Sequence, residues 1–293
     1  MSEAVATAVP LARGLWAQAW RRLARDRVAV VSGGVIALIA LIAIVGPSFS
    51  PHTQESLDWA RVAQSPGFEG SHWLGTDRLG RDLFVRALQG VRISLLIGLM
   101  ATFVSLAVGV TWGAIAGYVG GRTDEAMMRF VDVLYSLPYI FIVIILTTIF
   151  GRANLYALFV AIGAVGWLTM ARIVRGQALA LKQKEFIEAA RVTGVGTPRM
   201  LTRHIVPNLV GPVVAYATLT VPQMMLFESF LSFLGLGVQE PLASLGSLIN
   251  EGAREMESAV WMLLVPTGFL VALLLSFNFL GDGLRDALDP RDR

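Results

Sequence analysis

Glu188-Ala189-Ala190-Arg191-Val192-Thr193-Gly194 lies in a mostly polar segment that reaches from about Arg172 to Asn208. Long apolar runs stand on both sides of it. Residues 184–192 are good helix formers, with Phe186, Ile187, Ala190 and Val192 as an apolar set. Gly194 and Gly196 break that helix, because glycine is costly inside a helix and free to take positive φ. Thr197-Pro198 reads as an N-cap followed by proline at the first helical position. Pro207, in His204-Ile205-Val206-Pro207-Asn208, ends or kinks the second helix. The expectation is two short helices joined by a sharp turn, lying flat on a membrane surface. Ala189 and Ala190 let a partner surface come close, and Glu188 can pair with a partner's basic group.

The membrane follows from composition. The chain has 293 residues, 55% hydrophobic and only 15% charged, with a mean hydropathy of +0.64. Soluble domains carry roughly 25% charge, so there is too little polar surface here to face water all round. The net charge is +3 and the pI about 9.6. In a membrane protein that surplus reads as basic cytoplasmic loops. No basic stretch interleaves with stacking aromatics, so nucleic acid is not an expected partner. Cysteine is absent, which excludes disulfides, thiolate catalysis and cysteine-ligated metals.

Six apolar runs can be placed, at residues 28–46, 93–118, 130–150, 155–173, 209–234 and 260–280. Each approaches or exceeds the roughly 20 residues that carry a helix across about 30 Å of hydrocarbon. In lipid the backbone must satisfy itself, so the runs are expected to be helices. Gly163 and Gly166 interrupt the fourth, and Pro212 and Pro222 suggest kinks in the fifth. With both termini inside, seventeen Arg and Lys fall in cytoplasmic segments and seven outside, the bias of an inner-membrane protein. The segment after the first run is the exception. It holds Arg61, Arg78, Arg81, Arg86 and Arg92, accompanied by Glu55, Asp58, Glu69, Asp77 and Asp82. The first run exceeds a signal-peptide core and is expected to stay as a helix. Before it, Leu15, Trp16, Ala19, Trp20 and Leu23 share a face, as an in-plane helix on the cytoplasmic leaflet would require.

The segment Glu188–Gly194 with its downstream proline resembles the cytoplasmic "EAA" loop of ABC importer permeases. Three further segments, in the family's order, resemble the permeases of dipeptide, oligopeptide and nickel importers. They are His72-Trp73-Leu74-Gly75-Thr76-Asp77-Arg78-Leu79-Gly80-Arg81-Asp82, the stretch from His204 to Asn208, and the stretch from Glu228 to Gln239. The helix before a sizeable outer segment looks like the "C" type of the two paired permeases. Val206 stands where leucine is usual, and Gly246 lacks the tryptophan often seen before it.

That resemblance implies an all-α membrane protein of the type I importer permease class, with six transmembrane helices. Residues 1–27 would be a cytoplasmic amphipathic segment, 28–50 the first transmembrane helix and 51–92 an extracytoplasmic segment. Residues 93–284 would be a five-helix core with a coupling loop at 174–208, and 285–293 a cytoplasmic tail. Glu188, Ala189, Ala190, Arg191, Gly194 and Pro207 would couple the pathway to ATPase subunits. The implied assembly has a homologous second permease, two ABC ATPases that hold ATP and magnesium, and an extracytoplasmic binding protein. It would translocate small peptides, with nickel or another small solute as the alternative cargo.

Asp77, Arg81 and Asp82 are candidate gate or binding-protein contacts, or else a paired network that fixes the outer segment; four charges including Arg78 are costly to bury unpaired. Glu228 is the one acid deep in an apolar run. It stands roughly 28 Å along the helix from Leu209, near the outer face, where it could meet substrate amines or tie two helices together. His52, His72 and His204 show no ligand spacing, so no metal site is expected. No GxxxxGK[ST] loop is present, so nucleotide is not expected on this chain, and no nucleophile elbow argues for catalysis. A secondary transporter or channel would want ionisable groups at mid-membrane, which these runs almost lack.

Overall fold

The computed structural model describes residues 15–67, 71–151 and 154–288. Residues 1–14 and 289–293, Glu69 and Arg152, and the side chains of Leu15 and Trp16, lie outside that description. Among the described residues the chain is helical, and its one β feature is an isolated bridge between Thr76 and Asp82.

Helix α1, Leu15–Leu23, runs into α2, Arg27–Val45, through Asp26. Asp26 caps α2 by accepting from the backbone N–H groups of Val28 at 2.9 Å and Ala29 at 3.2 Å. Ala19 of α1 is buried and Trp20 exposed. Helix α2 is apolar all round and leaves Val31, Leu38, Leu41 and Ile44 exposed. Such a helix is stable with lipid as its solvent. Its inner face, through Ile39 and Ala43, packs on Leu270, Leu273 and Phe277 of α11, Trp261–Leu288.

The spine is α3, Leu83–Val119, whose 37 residues extend about 55 Å. It starts well before residue 93, where the apolar run was expected to begin. Asp82 caps its first turn, accepting from Val85 N–H at 2.9 Å, and Leu88 and Val91 already face the core. Polar Arg86, Gln89 and Arg92 interrupt the apolar run here without interrupting the helix. The last part of the expected outer segment is therefore helical.

Helix α6, Leu155–Lys182, lies against α3 along its length. Gly109, Gly113 and Gly117 recur every fourth residue on one face of α3. A Cβ at Gly117 would stand 2.7 Å from the Arg175 carbonyl oxygen and 2.8 Å from Ala178 Cβ. A Cβ at Gly113 would strike the Ala171 carbonyl. Gly163 returns the arrangement from α6, where a Cβ would sit 2.7 Å from Val104 Cβ. Small residues in this pattern let two membrane helices meet at backbone distance, where dispersion replaces the hydrophobic drive that lipid removes.

The third apolar run is not one helix. Helix α4, Gly121–Ser136, and α5, Tyr139–Phe150, meet at 87°. Pro138 lacks the N–H that would continue the ladder, and the residue before a proline avoids the α region. Leu137 accordingly has φ −79° and ψ 139°. With 12 residues, α5 spans about 18 Å. Among the described residues five helices are long and apolar enough to cross a membrane, and six if the bent pair counts as one span. Helix α9, Val206–Phe233, stays continuous through Pro212 and Pro222. After it comes α10, Leu245–Arg254, which the apolar-run pattern did not reveal; Ser244 and Ser247 close a reciprocal capping box at its start.

Gly113→Ala is expected to cost about 1–3 kcal/mol by overpacking the α3–α6 contact. Gly176→Ala, whose Cβ would meet nothing within 4 Å, is expected to be neutral or stabilising by up to about 1 kcal/mol. Thermal unfolding of the purified chain in detergent compares the two. Equal midpoints would remove the close approach as the reason for the glycines.

Candidate functional site

At one end of the spine the polar segment folds into a capped hairpin. Helix α7, Glu185–Val192, and α8, Thr197–Met200, flank Gly194, which has φ +82°. The N–H of Val195 donates to the Ala190 carbonyl at 3.1 Å, and that of Gly194 to the Arg191 carbonyl at 3.0 Å. This reciprocal pair is the Schellman ending, which needs a left-handed residue at the glycine position. Thr197 does not cap α8, as the sequence suggested. It is already helical, and Gly196 takes the cap position with Pro198 in the first turn.

Beyond α8 the chain does not stop at Pro207. A π turn, Leu201–Ile205, carries it straight into α9. Proline at 207 would collide with the carbonyl four residues back in a regular α-helix, and a widened turn relieves that crowding. The hairpin is thus rigidly joined to α9. Ile187 of α7 is fully buried with Met200, Ile205, Leu209 and Ala178. Arg191 lies over the Tyr118 ring at 6.0 Å, so α7 also touches the end of α3. Its other face is open: Glu188 and Ala189 are exposed, Phe186 is 45% exposed and Val192 88%. A small helix with a buried keel and an exposed apolar and acidic edge can receive a push and pass it to α3, α6 and α9.

At the opposite end of α3 the charges of the segment between α2 and α3 are paired. Asp77 is fully buried. It accepts from Arg81 Nε and from an Arg86 guanidinium nitrogen, each at 2.6 Å, and from the backbone N–H groups of Leu79 and Arg81. Arg86 also grips Glu251 of α10 with both terminal nitrogens, at 2.6 and 3.0 Å. Arg81 reaches Glu240 at 3.1 Å. Burial opposes the Arg81 charge, but the hydrogen bonds to Asp77 and Glu240 and the charges of Asp77 and Glu251 outweigh it and raise its pKa above the ordinary guanidinium value. Arg78 is exposed. Asp82 caps α3 and holds His72 Nδ1 at 2.8 Å. Sequence spacing pairs Asp77 with Arg81 but gives no sign of Glu251 or Glu240, which arrive from far along the chain.

Glu228 is fully buried in α9. Its carboxylate accepts from Ser94 of α3 at 2.9 Å and from Ser232 at 2.7 Å. Those serines in turn receive other groups: Ser94 accepts the Leu245 N–H at 3.1 Å, and Ser232 accepts the Val238 N–H at 3.1 Å and the Ser244 hydroxyl at 3.2 Å. A Cβ on Gly246 would stand 2.5 Å from the Ser229 carbonyl oxygen. The knot ties α3, α9 and the start of α10 together. Between the two ends lies a cavity of 470 Å³, bounded by α4, α5, α6 and α9. Tyr135, Tyr139, Thr169, Thr220, Gln223 and Phe227 line it, and no charged side chain does.

The family described as "Binding-protein-dependent transport system inner membrane component" matches residues 109–293. The "N-terminal TM domain of oligopeptide transport permease C" matches residues 14–66. The oligopeptide transport system permease protein OppC of Escherichia coli (strain K12) is 55% identical over 281 residues, 96% of this chain and 93% of that protein. OppC of Haemophilus influenzae is 53% identical over 281 residues, 96% of this chain and 90% of that protein. The dipeptide transport system permease protein DppC of Bacillus subtilis is 43% identical over 278 residues, 94% of this chain and 85% of that protein. An inward-facing structure of the MetNI methionine ABC transporter aligns with a TM-score of 0.57 at 20% identity, covering 69% of this chain and 95% of that one. That last likeness concerns the fold.

Fold and matches together define a multi-pass, non-catalytic membrane subunit of a transport system. The chain belongs to the binding-protein-dependent transport system inner membrane component family, as a permease of the type I ABC importer fold. A subunit of this class works in the inner membrane with separate subunits that hydrolyse ATP.

Asp77→Ala is expected to destabilise the chain by roughly 3–5 kcal/mol, because it strips buried Arg86, partly buried Arg81 and two backbone donors of one partner. Glu240→Ala, at an acid whose side chain is 67% exposed, is expected to change stability by less than about 1 kcal/mol. The comparison is read from thermal unfolding in detergent, and equal losses would mean that Asp77 is not the hub of the network.

Proposed function

We propose that this chain is one of two homologous permeases forming the pathway of an ATP-driven importer of small peptides. In this reading an extracytoplasmic binding protein delivers the peptide, and two ABC ATPases, which hold the ATP and magnesium, drive its passage. The observation that carries the reading is the 53–55% identity to oligopeptide permeases over nearly the whole chain. The cavity supports it. Its lining is mainly apolar and carries no charge, and Tyr135, Tyr139, Thr169, Thr220 and Gln223 set among the apolar side chains offer hydrogen bonds to peptide backbones while discriminating little among side chains.

The hairpin is the seat of the ATPases in this proposal. Glu188, Ala189, Ala190 and Arg191 form or border the exposed edge of α7, Gly194 fixes its angle, and Pro207 enforces the π turn that joins it to α9. The charge network around Asp77, Arg81 and Asp82, with Glu228 beneath it, closes the outer end. In this reading both termini lie in the cytoplasm, which the charge bias of the loops supports.

Glu188→Arg and Gly194→Pro are expected to leave membrane insertion intact and to lower uptake of labelled peptide by tenfold or more, on the order of the several kcal/mol that like-charge contact costs at an interface. Co-purification of the ATPases should fall with it. Wild-type uptake by both variants would mean that α7 is only a cover for the base of the bundle.

The orientation has its own test, helped by the absence of native cysteine. Cysteines introduced at Gly194 and Arg285 are expected to stay unlabelled by an impermeant thiol reagent added from outside, and to react once the membrane is opened. Labelling from outside would invert the topology.

A further inference from the structure

The sequence reading expected no metal site because the histidines lack ligand spacing. The fold brings two of them together. The rings of His52 and His72 stack with centroids 4.1 Å apart and planes 18° from parallel. His72 is 2% exposed. Its Nδ1 lies 2.8 Å from an Asp82 oxygen whose carboxylate is anchored by capping α3. Its Nε2 is buried without a hydrogen-bond partner, with Asp58 Oδ2 3.8 Å away. One ligand atom from each of His52, His72 and Asp82 lies within 4.8 Å of the other two.

A lone buried imidazole needs one partner. Here it has a carboxylate on each side and a second imidazole on its face. We propose that His52, His72 and Asp82 bind one divalent transition-metal ion, zinc by preference, as a clamp between the chain that follows α2 and the start of α3. Two imidazoles and a carboxylate suit zinc and its neighbours, whereas calcium and magnesium seek oxygen ligands alone. Ligand atoms held about 2.0–2.2 Å from one ion stand roughly 3–4 Å from each other, so the group needs to draw in by about 1 Å. His52 supplies that movement. It is half-buried, its Nε2 is held at 2.8 Å by the Ser71 hydroxyl, and a turn about Cβ–Cγ takes its ring out of the stack toward the His72–Asp82 pair. Asp58 then takes the remaining N–H of His72, as carboxylates do behind metal-bound histidines. His52 also borders an outer cleft of 640 Å³ with Gln89 and Arg92, which gives an ion its approach. The clamp is structural and does not depend on what the pathway carries.

The test uses the full-length chain with its partners, purified in detergent on a non-histidine tag, stripped with EDTA and equilibrated with zinc. Elemental analysis is expected to find about one zinc per chain, and zinc is expected to raise the unfolding temperature until EDTA is added. Cobalt in its place should give visible absorption bands of nitrogen and oxygen ligation. His52→Phe keeps a ring to stack on His72 but offers no ligand. It is expected to unfold like the wild type without zinc, to lose affinity by at least about tenfold and to lose the zinc-dependent shift. His204→Ala is expected to retain both. If the wild type holds no more zinc than His52→Phe, or if His204→Ala loses the ion, the proposal is overturned, and the two rings are a stacked contact only.

Discussion

Everything in this fold leans on the contact between α3 and α6. Lipid supplies no hydrophobic drive between helices, so their attraction must come from atoms at van der Waals distance. Glycines at 109, 113, 117 and 163 remove the side chains that would hold the backbones apart. Because the fit is backbone against backbone, sliding or rotating one helix against the other would produce collisions rather than a new packing. The pair therefore behaves as one rigid bar, close to twice as long as the hydrocarbon is thick. One end of the bar carries the hairpin; the other carries the paired charges.

That geometry explains why the two polar regions look so different. The hairpin presents an open face: Val192 and Phe186 are exposed apolar side chains beside exposed Glu188. Its internal hydrogen bonds are closed by the Schellman turn, so the exposure is not looseness. The outer end is the reverse. Asp77, Arg86, Glu228, Ser94 and Ser232 are buried and bonded to one another or to backbone. Buried charges of this kind add little net stability over an apolar packing, yet removing one partner is costly. They specify which segments sit together: α3, the α9–α10 turn and α10.

Much of this was legible in the sequence, and the reasons it stopped are physical. The spans were readable because lipid demands long apolar helices. The hairpin was readable because glycine and proline act locally. The cluster of Asp77, Arg78, Arg81 and Asp82 was visible as a cluster, with a paired network as one of its two readings. The partners Glu240, Glu251 and Ser244 did not, because they come from segments far along the chain, with nothing periodic to link them. Helix α3 was read as too short for a similar reason: its first turns face protein on one side and a polar cleft on the other, so hydropathy falls while the helix continues. The bend at Leu137-Pro138 was hidden by an apolar run that stayed apolar through the break, although Pro138 carried the signal. The stack of His52 on His72 depends on the path of the outer segment, which no local pattern specifies.

The two halves of the bent pair α4–α5 are tied to the bar by different kinds of contact. Helix α4 meets α6 through the ion pairs Arg175–Asp124, at 2.5 Å, and Arg172–Asp132, at 2.7 Å, together with Val131 set against Trp167, Leu168 and Ala171, whereas α5 packs buried Val143 among Ile97, Leu158 and Ile162. The Arg172 and Asp132 side chains are 40% and 56% exposed, so that pair is worth at most about 1 kcal/mol. The opposite wall, α6 with α9, is held through buried apolar side chains and through the hairpin itself. In the proposed function, a force on α7 would meet α6 and α9 directly, and would reach α4 through its ion pairs and Val131 and α5 through its apolar packing. In the proposed function, the break at Leu137-Pro138 separates those two kinds of contact, and Leu137 stands in the cavity wall at that point.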